Sequence, residues 1–178
     1  MPQVLSWKDS VIIDKMETDV MHITIMGVGN LLLTDEGFGI HVVKLLEEHY
    51  EFPQNVSVID GGVLGLNLLG VISEADHLIV IDAVKNGKAP GSLYRIDGEA
   101  IPERVRAKNS LHQVDFLETL TLCQALDKTP ETVILGVEPK DIETLGIELT
   151  QTTMSKVNRM IEMVLAELDR LGISYEER

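Results

Sequence analysis

The sequence predicts an α/β protein, a three-layer α/β/α sandwich around a mainly parallel, twisted sheet with one antiparallel strand. Three observations carry this expectation. Short apolar runs alternate with helical stretches, and turn residues separate them. The run HLIVID at 77–82 is apolar almost throughout, as a strand covered on both faces should be. Only eight residues separate that run from GSLYRID at 91–97, too few for a parallel crossover, so the latter strand should run antiparallel to it.

In chain order, residues 22–27 (HITIMG) read as a buried strand, and 37–49 as a helix with Phe38, Val42, Leu45 and Leu46 on one face. A second strand is expected over 56–60 and a short helix over 66–74. Strands at 77–82 and 91–97 come next, then a helix over 112–126 and a strand over 132–137. A long final helix over 150–171 carries an apolar stripe of Met154, Val157, Ile161, Val164, Leu168 and Leu171, a core-facing pattern. Residues 1–20 read as an N-terminal extension, free to be flexible, ahead of a single domain over 21–178, and Met21 would itself make a plausible start. The extension lacks the basic start and longer apolar stretch of a signal peptide.

Composition narrows the function. The chain has 178 residues, of which 15 are Lys or Arg and 29 Asp or Glu, giving a net charge of −14. Such a chain should repel phosphate backbones and anionic membranes, so no nucleic-acid or membrane partner is expected. No apolar run reaches the roughly 18 residues of a membrane span. The lone cysteine, Cys123, forbids an intrachain disulfide and favours a cytoplasmic location. Cys123 sits among apolar neighbours and reads as core rather than as a nucleophile. Neither a G-x-S-x-G elbow nor an H-E-x-x-H zinc motif occurs.

The chemistry-bearing residues gather after strands. Gly27-Val28-Gly29-Asn30 follows the first strand, but Leu32 stands where a dinucleotide fingerprint needs its third glycine. The two glycines therefore read as a tight turn. In Thr34-Asp35-Glu36-Gly37, Thr34 or Asp35 can cap the coming helix, and Glu36 would favour its dipole. Three leucines, 31–33, suggest an apolar wall beside that acid. Asp60 and Asp82 end the second and third strands, where a turn role is the ordinary reading. Yet Glu36, Asp60 and Asp82 all follow carboxyl ends of parallel strands, the edge at which open α/β sheets bind ligands. Carboxylates converging there favour a cation. Of the five histidines, His22 and His77 belong to the opposite edge, while His41 lies within the first helix and His49 at its far end. His112, after Ser110 as a helix cap, is the one that can reach the same crevice. Glu36, Asp82 and His112 make a hard O/N set suited to a divalent first-row metal.

The segments GVGNLLLTDEGFGI (27–40), IDGG (59–62), DHLIVIDAV (76–84), SLHQVD (110–115) and LGVEPK (135–140) resemble the ordered motifs of the [NiFe]-hydrogenase maturation proteases. The resemblance runs from about Met21 to about Ile173. It implies an endopeptidase that removes a C-terminal extension from the hydrogenase large-subunit precursor after nickel insertion. It also implies Glu36, Asp82 and His112 as ligands to the nickel already seated in the substrate, an ion whose place cadmium can take. The family's Asp in its D-G-G block falls on Asp60, a candidate general base or ligand-orienting acid. Lys140 departs from the acid expected in that last motif. Two other classes compete. One is a metallochaperone that inspects nickel with the same residues and cuts nothing; the other is a nucleotide-binding oxidoreductase, which Leu32 disfavours.

Overall fold

The computed structural model describes residues 20–62, 68–97 and 127–178. A five-stranded sheet forms its centre. Its strands are β1 (Ile23–Val28), β3 (Val56–Gly62), β4 (His77–Ala83), β5 (Leu93–Asp97) and β6 (Glu131–Val137), in the order β3-β1-β4-β6-β5. The pairs β1–β3, β1–β4 and β4–β6 are parallel, and β5 pairs antiparallel with β6 at the edge. The antiparallel direction expected for 91–97 is therefore present, with β6 inserted between that strand and β4.

Strand alternation explains why β4 is apolar throughout. Leu78 and Val80 face one side and join Met26, Val28, Ile134 and Ile72 of helix α2 (Leu69–Glu74). Ile79 and Ile81 face the other and join Phe38, Val42 and Leu46 of helix α1 (Phe38–His49). The same layer holds Val157, Met160, Ile161, Val164 and Leu168 of helix α4 (Val157–Arg170). Each such aliphatic side chain contributes about 1.5–3 kcal/mol on burial. Helices thus cover both faces, as the three-layer expectation requires.

Two elements differ from the sequence reading. The final helix is broken: α3 (Gln151–Met154) ends at a turn over Ser155 and Lys156 before α4 begins. The break takes Met154 out of the apolar stripe and leaves it 45% exposed, whereas Val157, Ile161, Val164 and Leu168 are buried as expected and Leu171, just past the helix end, is half-buried. The other difference is a small antiparallel sheet of β2 (Tyr50–Glu51) and β7 (Glu176–Glu177), which joins the end of α1 to the chain's C-terminus. Tyr175 packs edge-on against Tyr50 at 5.9 Å and tilted against Phe52 at 6.4 Å beside this sheet. The expected helix over 112–126 lies outside the described residues, as does the extension over 1–20 except for its last residue, Val20.

The topology fixes where a ligand belongs. From β1 the chain passes through α1 to β3 on one side; from β4 it continues toward β5 and β6 on the other. The carboxyl ends of β1 and β4 are adjacent strand ends whose exits diverge, and such a switch point opens a crevice.

Candidate functional site

Glu36 and Asp82 flank that switch point. Glu36 lies in a single turn of 3-10 helix, Thr34–Gly37, between β1 and α1, and this turn packs against β4. Asp82 is the penultimate residue of β4. Both are half-buried.

Close backbone approach brings the turn down onto the strands. Gly39, in the first turn of α1, lies so near the sheet that a Cβ there would stand 2.1 Å from the Ile81 carbonyl oxygen and 2.5 Å from that of Val28. Gly29 has φ +137°, and a Cβ there would stand 1.7 Å from the carbonyl oxygen of Glu36 itself. Gly27, expected in the same tight turn, instead lies inside β1, where a Cβ would stand 2.3 Å from the Gly39 carbonyl oxygen, so the turn reading holds for Gly29 alone and both glycines serve close packing against the Glu36 turn and α1.

Neither Thr34 nor Asp35 caps the helix. Leu33 and Gly37 occupy the two cap positions, and neither makes a side-chain cap bond. Asp35 turns inward instead and is fully buried. Its Oδ2 accepts from the backbone N–H groups of Lys140 (2.8 Å) and Asp141 (3.0 Å) and from the Thr150 hydroxyl (3.0 Å). Its Oδ1 accepts from Thr150 N–H (2.8 Å) and the Thr153 hydroxyl (2.5 Å). Burial opposes the charged form, but these donors outweigh it and hold the carboxyl below its ordinary value. Thr34 adds a bond from its hydroxyl to the Asp141 carbonyl at 2.6 Å.

A second buried acid directly follows β6, the strand paired with β4. Glu138 is 4% exposed and accepts from the N–H groups of Asn86 (2.8 Å and 3.1 Å), Gly87 (3.1 Å) and Lys88 (3.3 Å), and from the Tyr94 hydroxyl. Burial again acts against its charge, and these donors again prevail, lowering its pKa. Sequence reading missed both acids' roles. The available signal was two carboxylates in segments dense with turn residues, each needing donors that only distant chain could supply.

The three leucines divide. Leu31 lies against Gly37, and Leu33 bridges to Leu145 and Gly146. Leu32 is 62% exposed, beside Leu145 at 80% and Ile147 at 64%. The wall beside the acid is thus the rim of a paired loop, tied by Gly146 N–H to the Leu32 carbonyl at 3.0 Å.

Asp60 stands apart. It is exposed near the end of edge strand β3, in register with Gly27, which on its other side is in register with Ile81. Asp60 and Asp82 are thus on strands two spacings apart, about 10 Å. They are also one register step out of phase, so strand alternation sends their side chains to opposite faces. Asp60 Oδ1 accepts from Gly62 N–H at 2.9 Å, an aspartate turn made possible by Gly62 at φ +53°. Among the described residues no three His, Cys, Asp or Glu side chains are grouped to hold a metal ion. Glu36, Asp60 and Asp82 therefore do not converge as three carboxylates, because the ladder spaces Asp60 away. The set of Glu36 and Asp82 with His112 has its third member outside the described residues. The described histidines fall where the sequence put them: His77 starts β4, His22 precedes β1, and His41 and His49 lie on α1.

Comparison with known proteins gives a consistent answer. A model of the hydrogenase maturation protease family matches residues 40–167. A hydrogenase expression/formation protein, HupD of Thiocapsa roseopersicina, is 37% identical over 158 residues, covering 88% of this chain and 72% of that one. The hydrogenase 2 maturation protease of Escherichia coli is 37% identical over 155 residues, covering 86% and 94%. Among solved structures, the hydrogenase maturating endopeptidase HybD from E. coli superposes with a TM-score of 0.85 at 36% identity, covering 89% of this chain and 98% of that one.

Proposed function

This chain belongs to the hydrogenase maturation protease family and is an endopeptidase of hydrogenase maturation; on that premise we propose that it cuts a C-terminal extension from a nickel-loaded large-subunit precursor, using the substrate's own nickel as the recognition element. The observation that carries this reading is the pair Glu36 and Asp82 flanking the switch-point crevice, on elements packed together. Half-buried carboxylates there offer hard oxygen donors, and His112 would add an imidazole nitrogen, a donor set that nickel accepts.

In this mechanism Glu36, Asp82 and His112 grip the precursor's nickel and so hold the scissile bond near it. Precursor without nickel lacks that anchor and is not held. The ion, as part of the substrate, supplies Lewis acidity toward the scissile carbonyl or an attacking water. Asp60 is the proposed general base or ligand-orienting acid, with Gly62 beside it letting an extended tail lie close to the backbone, while the bare Gly61 position is already filled by Met26 and the Gly27 carbonyl. Its separation from the Asp82 strand favours action on the tail or on water over direct ligation. The setting proposed for this work is the cytoplasm. Among the described residues no helix is long and apolar enough to cross a membrane.

Incubation with nickel-loaded and nickel-free precursor, read by the gel mobility of the large subunit, tests this reading. Cleavage of the loaded form alone is expected. Binding without any mobility shift would instead make the protein a nickel-inspecting chaperone, and equal cleavage of both forms would remove nickel from recognition.

A further inference from the structure

The segment 138–141, Glu-Pro-Lys-Asp, has no part in the cut as proposed, yet two buried carboxylates converge on it. One belongs to the segment: Glu138 gathers the N–H groups of Asn86, Gly87 and Lys88, the loop that leaves β4 just after Asp82. The other comes to it from outside: Asp35, the neighbour of Glu36, gathers the N–H groups of Lys140 and Asp141. The segment is further held at its start, where Val84 N–H donates to the Val137 carbonyl and Gly91 N–H to the Glu138 carbonyl, both at 2.7 Å. Pro139 between the two anchors has a fixed φ and stiffens the span. Lys140 acts here through its backbone N–H, which any residue except proline would supply, so a lysine in place of an acid leaves this contact intact.

Hydrogen bonds to a carboxylate are about twice as strong as neutral ones, and the two groups together accept from six backbone N–H donors, five of which tie the segment to its neighbours or to Asp35. A short, stiff span with such a joint at each end fixes the distance between what the joints hold. We propose that segment 138–141 is a strap between the Glu36 turn and the Asp82 loop, and that Asp35 and Glu138 are positioning residues that set the spacing of the two nickel-gripping carboxylates. The inference rests on the reading of Glu36 and Asp82 as that pair. Second partners of metal ligands act in this way by holding first ligands in one orientation.

The test is metal selectivity of the full-length chain. Asp35→Asn and Glu138→Gln keep the side chain's size but replace one acceptor oxygen with an NH2 group facing N–H donors. Calorimetry with nickel alone and zinc alone gives two affinities for each folded variant. Nickel imposes its own geometry, whereas zinc, a d10 ion, has no geometric preference from its d electrons. Loss of fixed spacing should therefore weaken nickel binding by about 10- to 100-fold, zinc binding by less, and cleavage of nickel-loaded precursor in step with nickel binding. A merely structural role would lower both affinities by one factor, following the loss of melting temperature, and that result overturns the proposal. So do unchanged affinities and cleavage. If the carboxamide variants do not fold, Thr153→Val and Tyr94→Phe each remove a single hydroxyl donor from one joint and carry the same test. Glu36→Gln serves as the control on the underlying reading: unaltered nickel binding and cleavage in that variant would refute the ligand pair itself, and with it the strap.

Discussion

Replacing Gly39 by Ala sets helix propensity directly against packing. Gly39 is the second residue of α1, and in an isolated helix the change would stabilise by about 1 kcal/mol. Here the new Cβ would meet the Ile81 carbonyl oxygen at 2.1 Å, that of Val28 at 2.5 Å and the Val28 nitrogen at 2.7 Å. Real Cβ atoms essentially never come within 3.0 Å of such neighbours, so α1 must lift by about 1 Å. The colliding atoms are backbone of β1 and β4, two interior strands, so no side chain can rotate aside. Overpacking costs typically about 1–3 kcal/mol, and this site belongs at the upper end, so the net loss is about 2 kcal/mol. For a chain of this length that lowers the melting temperature by about 4–8 °C. The lift also moves the Glu36 turn, which directly precedes α1, and a displacement of about 1 Å at a reacting site can cost about 100-fold in rate. Thermal unfolding followed by circular dichroism and precursor cleavage at a temperature where the variant is fully folded measure the two effects. A melting temperature equal to or above that of the unsubstituted chain would show that propensity wins and that the close approach is not rigid. Normal cleavage in a destabilised variant would uncouple α1 from the site.

Three further outcomes are expected. Asp60→Asn should keep the bond to Gly62 N–H through its side-chain oxygen, retain binding of nickel-loaded precursor and slow tail release by about 10²–10⁴-fold; normal release would leave Asp60 a turn residue only. His112→Ala should abolish processing without lowering the melting temperature, and a variant that cleaves at the normal rate would remove His112 from the ligand set. Glu167 supplies a pH dependence outside the site: burial disfavours its charge, but Arg95, donating at 2.7 and 3.0 Å, and Arg170, at 2.6 Å, hold its pKa below the ordinary value. Its stabilisation is therefore full above the unfolded pKa of about 4.3 and is lost as pH falls through the lower folded value. Denaturant unfolding should show the stability gap between the native chain and Glu167→Gln closing below about pH 4, and a gap independent of pH would refute the assignment.

What the chain determined locally was determined well. Continuous apolar runs gave the central strands within a residue or two, because burial on both faces leaves no choice of polar residue along β4. An eight-residue spacing gave the direction of β5, since chain length alone forbids a parallel return. Acids after strand ends placed Glu36 and Asp82 at one edge, because every parallel strand presents its carboxyl end there. Where an element is short, nothing local marks it: β2 and β7 have two residues each and exist only because the C-terminus meets the end of α1. The break between α3 and α4 likewise contradicts a periodicity that continues through it. The site shows the same boundary more sharply. In the sequence, Asp35 is a helix-cap aspartate and Asp60 and Asp82 are equivalent strand-end acids. Tertiary structure separates the last two by a strand and a register step, and it turns Asp35 toward donors more than a hundred residues away. A carboxylate's role depends on which donors reach it, and when those donors are distant in the chain only the folded backbone decides it.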